Sequence, residues 1–141
     1  MTPEQIELVQ RAWGRVTALN NTYVQEVYTE LFRLSPDLIN LFPDPAGMPV
    51  TKVSETLNTV ITSLEQLDAL GFIIRDLGRR HRQFNVQSHQ FGLLKQALTL
   101  VLARRLGEHF TPALSDAWSQ MYDEIAALML EGLSQPAESV A

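Results

Sequence analysis

The 141-residue sequence has three histidines, four methionines and no cysteine. Metal chemistry would therefore rest on imidazole or carboxylate, and disulfides, thiolate metal sites and thiol nucleophiles are excluded. His81 has the most informative setting. Leu70, Ile74, Leu77 and His81 are spaced four, three and four, which puts them on one helix face. A coordinating side chain at the end of an apolar stripe has two readings. It is a helix-end histidine whose charge suits the dipole, or a ligand held at the edge of a dry pocket, and spacing by itself favours the first. His89 directly follows Ser88, and His109 sits in the turn before Thr111-Pro112. Both are expected to face solvent, and the three do not form a zinc motif such as H-x-x-x-H. Tyr28 lies on an inward helical face, where its hydroxyl needs a partner, from the backbone or from a ligand.

The elements that carry these residues read as helices throughout. Thr2-Pro3-Glu4-Gln5 is a capping box with proline at the first helical position. Ile6, Val9, Trp13 and Val16 follow on one face, and the helix is expected to end near Leu19. The second helix is expected from Thr22 to Leu34, with Glu26 and Glu30 outward. Ser35-Pro36 starts a short helix to Phe42, and Pro43-Asp44-Pro45-Ala46-Gly47 breaks the pattern. A helix from about Pro49 to Leu67 carries Val53, Leu57, Val60, Ile61 and Leu64. The next bears Leu70 to His81, and Gly78, at a cost of about 1 kcal/mol relative to alanine, predicts that it is short or irregular. Ser88 is expected to cap a long helix through Phe91, Leu94, Leu98 and Val101 to about Gly107. Thr111-Pro112 starts the last, which fades near Gly132. No segment alternates with period two. The prediction is an all-α domain over residues 1–134, with about seven helices of unequal length, and a tail over 135–141.

Composition narrows the function classes. The chain is 45% apolar and 19% charged, which suits one globular domain. Its net charge of −5 lacks the basic footprint of a nucleic-acid binder, apart from the local cluster Arg79, Arg80 and Arg82. No apolar run approaches the roughly 18–20 residues needed to span a bilayer, so no membrane partner is expected. Glu4 and Glu7 replace the hydrophobic core of a signal peptide, and a cytoplasmic location is expected.

Five landmarks in order, spanning nearly the whole chain, resemble a globin, specifically a bacterial single-domain globin of the flavohaemoglobin and neuroglobin-like lineage. They are Trp13-Gly14-Arg15-Val16; Tyr28, Phe32 and Pro36 followed by Leu41-Phe42; Lys52-Val53 with Thr56-Leu57; Leu77-Gly78-Arg79-Arg80-His81 with Val86 and Phe91; and Phe110-Thr111-Pro112 with Ala117-Trp118. The resemblance implies a globin fold around a non-covalent haem (protoporphyrin IX iron). It makes His81 the proximal iron ligand, with Leu77, Val86 and Phe91 on the same side of the porphyrin. Phe42 would wedge the haem, Val53 would lie over the iron, and Arg80 or a neighbouring arginine would pair with a propionate. Tyr28 would donate a hydrogen bond to bound O2. Pro49 falls at the usual distal histidine or glutamine and has neither a donor side chain nor a backbone N–H. The register there allows Thr51 or Lys52 to turn inward instead. Phe91 replaces the tyrosine of the flavohaemoglobin proximal network, and Glu131 only roughly matches that network's carboxylate, so strong peroxidase-like activation is not expected.

The function this implies is reversible binding of O2, and of CO and NO, at a histidine-ligated iron, without a catalytic residue. One alternative is nitric oxide dioxygenation; no flavin reductase is fused, so it would need a separate reductase as partner. Another is a haem-free globin-like module binding a fatty acid or a protein. A haem-based sensor would need an output domain.

Overall fold

The computed structural model describes residues 1–18, 22–41, 49–84 and 86–134. Six α-helices carry the chain: α1 (Pro3–Thr17), α2 (Thr22–Leu34), α3 (Val50–Thr62), α4 (Leu67–Arg80), α5 (Gln90–Leu106) and α6 (Pro112–Leu133). Among the described residues four 3-10 segments lie between them, at Pro36–Leu41, Leu64–Gln66, His81–Phe84 and Gly107–His109. Among the described residues there is no strand.

Helix starts follow the caps expected from sequence, with one exception. Thr2 Oγ1 accepts from the Gln5 N–H (3.1 Å) and Gln5 Oε1 accepts from the Thr2 N–H (2.9 Å), which completes the capping box. Thr111 Oγ1 accepts from the Leu114 N–H. At α5 the expected Ser88 side-chain cap is not used. His89 is the capping residue and makes no side-chain cap bond, while the Ser88 carbonyl receives the Phe91 N–H. Gln90 Oε1 reaches back instead to the Gln87 N–H at 2.8 Å. Gly107, at φ +56°, closes α5 in a conformation that L side chains rarely adopt.

The core is built mainly from α1, α2, α5 and α6. Trp13 stacks on Trp118 (centroids 6.1 Å apart, planes 19° apart) and meets Tyr23 edge-on. Val9, Val24, Val101 and Met121 are buried around them. Side chains of this size account for most of the apolar burial that drives folding. The outer surfaces of α2 and α5 are tied by charge. Arg105 pairs with Glu26 and donates to Thr22 (2.9 Å), while Arg104 and Arg33 both reach Glu30. The helical pattern placed Glu30 outward, yet it is only 8% exposed. The reason is tertiary: α5 brings Arg104 over that face of α2. These arginines, Arg33 foremost, hold the Glu30 carboxyl below the usual range.

Two further expectations change. The helix read from Pro49 to Leu67 stops at Thr62, and α4 starts earlier than Leu70, at Leu67. At the α3 terminus the Ile61 carbonyl receives Gln10 Nε2 of α1 (3.0 Å), which also donates to Glu65 at 2.8 Å. Gly78 does not make α4 irregular, because the helix runs through it to Arg80. Gly78 and Gly132 are buried where α4 crosses α6. A Cβ on Gly78 would lie 2.0 Å from the Met129 carbonyl oxygen, and one on Gly132 would lie 1.7 Å from that of Arg75. The glycines are there because each helix backbone occupies the space of the other's side chain.

Candidate functional site

His81 stands where α4 tightens into a 3-10 turn. Its backbone N–H points to the Gly78 and Arg79 carbonyls. Its ring Nδ1 takes the Leu77 carbonyl at 2.7 Å. A carbonyl oxygen only accepts, so Nδ1 carries the proton and the lone pair of the neutral ring lies on Nε2. The ring is thereby a nitrogen donor of fixed tautomer and orientation, which is the arrangement a metal-ligating histidine requires. Leu77, His81 and Val86 are half-buried, and Phe91 is buried at the start of α5. The Phe91 carbonyl accepts from the Tyr122 hydroxyl at 2.6 Å, which ties the start of α5 to α6. Burial pushes the Tyr122 phenol far up, so it remains a donor.

Glu131 does not act on His81. It pairs with Arg75 Nε at 3.4 Å. The arginines around His81 are also engaged. Arg79 and Arg80 both bind Asp76, with Arg80 at 2.9 and 2.6 Å, and together they hold the Asp76 carboxyl below its ordinary range. Arg82 donates to the Leu133 carbonyl at the end of α6, at 3.2 and 2.5 Å. Arg80 is exposed. His89 and His109 are exposed in their turns.

Tyr28 is half-buried on α2 and its ring stacks on Phe32 (6.0 Å, 24°). Burial pushes the Tyr28 phenol above its ordinary value, so it stays protonated at neutral pH and can donate. Pro49 is exposed and forms the N-cap of α3, where its carbonyl accepts the Val53 N–H at 2.9 Å. Thr51 and Lys52 are exposed rather than turned inward. Val53 is half-buried and packs against the core. Phe42 lies outside the described residues.

Three polar contacts that the sequence reading missed hold α3 in place. The Tyr23 hydroxyl meets Ser54 Oγ (3.1 Å), Trp13 Nε1 donates to Asn58 (3.2 Å) and Gln10 donates to the Ile61 carbonyl. Ser54, Asn58 and Ile61 follow helical spacing, so one stripe of α3 meets α1 and α2. That stripe mixes serine, asparagine and isoleucine, and so lacks the apolar signal by which helix faces are read. Among the described residues no group of three or more His, Cys, Asp or Glu is placed to hold a metal.

Comparison with known proteins adds the following. The globin family model matches residues 25–129. Neuroglobin of Tetraodon nigroviridis is 28% identical, over 96% of this chain and 94% of that protein. Neuroglobin of Danio rerio is 29% identical, over 93% and 91%. A solved structure of a hexacoordinated haem protein from an anhydrobiotic tardigrade superposes with a TM-score of 0.81, covering 96% of each chain at 15% identity.

Proposed function

Since this chain belongs to the globin family, we propose that it holds a haem between α3 and α4 and reversibly binds a diatomic gas, O2 foremost, with His81 as the iron's protein ligand. The observation that carries this reading is the His81 ring: Nδ1 is fixed on the Leu77 carbonyl and Nε2 keeps its lone pair, at the edge of half-buried apolar side chains. That donor suits haem iron, whose other equatorial ligands come with the porphyrin. When bound, the haem supplies the iron at which the gas is held. Leu77, Val86 and Phe91 offer apolar contact on the His81 side, and Val53 on the other. Tyr28 donates to the gas, and its raised pKa keeps that proton in place. A propionate would have to share Arg80 with Asp76.

The tardigrade protein is hexacoordinated, and a different resting state is proposed for this chain. Pro49 provides no imidazole, and His89 and His109 are exposed. With Pro49 at that position and the other two histidines exposed, a bis-histidine iron is not expected. Phe91 has no hydroxyl and Glu131 is held by Arg75. Neither strengthens His81 as an electron donor, which favours binding over activation.

Absorption spectra of the haem-reconstituted protein in ferric, ferrous and CO-bound forms test this. A Soret band with a five-coordinate ferrous spectrum is expected, and absence of the band sinks the reading. Tyr28→Phe should speed O2 release roughly fivefold, as loss of a hydrogen bond of about 1 kcal/mol implies. An unaltered off-rate would assign the distal donor elsewhere. Nitric oxide consumption that appears only with an added reductase would assign the dioxygenase reaction instead.

A further inference from the structure

We infer that α6 sets the orientation of His81 through the Gly78–Gly132 crossing, which makes these two glycines positioning residues for the iron ligand. The inference rests on the haem-binding reading. Its ground is a chain of rigid contacts. The Leu77 carbonyl that holds His81 Nδ1 belongs to the same planar peptide unit as Gly78 N and Cα. Gly78 Cα lies against the Met129 backbone, since a Cβ there would come within 2.0 Å of its oxygen and 2.7 Å of its Cα and carbonyl carbon. The contact is reciprocal. A Cβ on Gly132 would lie 1.7 Å from the Arg75 oxygen and 2.9 Å from its Cα. Arg75 and Gly78 are three residues apart on α4, as are Met129 and Gly132 on α6, so each helix seats the other at two points one turn apart.

Side chains on both helices brace the same junction. Arg82, next to His81, donates to the Leu133 carbonyl, and Arg75 pairs with Glu131. The backbone contacts cannot be relieved by a rotamer change, because the opposing atoms are main chain. Displacing α6 therefore moves the Leu77–Gly78 peptide, and with it the acceptor that aims the imidazole. A rotated or displaced ring changes the strength and geometry of the bond that Nε2 makes. In this arrangement α6, which carries no ligand, controls the ligand's pose through main-chain contact with α4.

The test is Gly132→Ala, with Gly92→Ala as control, since a Cβ on Gly92 meets nothing within 4 Å. In the ferrous haem-loaded protein, Gly132→Ala is expected to keep the Soret band and shift the iron–histidine stretching band by several wavenumbers. In the haem-free protein it should speed amide hydrogen exchange across Leu77–Arg82 several-fold. Gly92→Ala should move neither. If Gly132→Ala does not fold, Arg82→Gln loosens the same junction without adding volume and should shift the band by less. An unmoved band in every variant that folds and retains the Soret absorption overturns the inference, as does an equal shift in Gly92→Ala. A wild-type protein that takes up no haem overturns the haem-binding reading instead. The exchange measurement then still reports whether α6 holds Leu77–Arg82, and unchanged exchange there overturns the inference separately.

Discussion

α3 and α4 are consecutive and nearly equal in length, 13 and 14 residues, yet they are fastened by opposite means. Side chains hold α3: Ser54 on Tyr23, Asn58 on Trp13, and the Ile61 carbonyl on Gln10. Ile61 is its one buried residue among those described. Main chain holds α4, pressed on α6 at Gly78 and Gly132. Side-chain hydrogen bonds are individually modest and can lengthen or re-form, whereas a backbone crossing leaves no room for adjustment. The difference suits the proposed roles. The helix bearing the proposed iron ligand is fixed, and the helix proposed to face the gas is held by contacts that can yield.

The contrast can be broken at Gly78. Gly78→Ala puts a methyl group into the Met129 backbone and should destabilise the protein by about 3 kcal/mol, the upper end of overpacking costs. A urea midpoint within error of wild type would show that α4 is not clamped there. On the other wall, Tyr23→Phe removes only the bond to Ser54. It should cost about 1 kcal/mol by the same measurement, and a loss as large as that at Gly78 would erase the distinction between the walls. Gly14→Ala in α1 should act in the opposite direction. A Cβ there meets nothing within 4 Å, so alanine should stabilise by about 0.5–1 kcal/mol through helix propensity and unfolded-state entropy. A destabilised Gly14→Ala protein would show that glycine is needed there for reasons other than space.

A smaller effect, dependent on pH, is expected where charge rather than backbone joins α2 to α5. The folded Glu30 carboxyl is held low by Arg33 and Arg104. Its contribution is therefore present above the unfolded carboxylate pKa and is lost as pH falls through the lower, folded value. Glu30→Gln should lower stability slightly at neutral pH and flatten the acid limb below about pH 5. Urea midpoints measured across that range, falling in parallel for mutant and wild type, would show that Glu30 is not one of the groups responsible.

Much of the fold was legible before any coordinates. The α2 boundaries, the Thr2 and Thr111 caps, the stop at Gly107 and the inward stripes of α1, α5 and α6 follow from local rules: a hydroxyl that reaches an N–H, a glycine at positive φ and apolar residues at helical spacing. His81 stood out as an imidazole that ends an apolar stripe, but only the family resemblance made it the proposed ligand. Less legible was everything that depends on what a second helix brings. Glu30 looked like an outward acid until α5 placed Arg104 beside it. Gly78 looked like a weak point in α4 until α6 filled the space of its missing side chain.

By itself, then, the sequence determined that the chain is helical and where most helices start and stop. These are properties of neighbours in the chain, and local sterics and hydrogen bonding decide them. Only the tertiary structure decided that Arg82 reaches the end of α6, that Arg104 covers Glu30, and how differently α3 and α4 are held. Those depend on contacts between residues tens of positions apart, which no local period encodes.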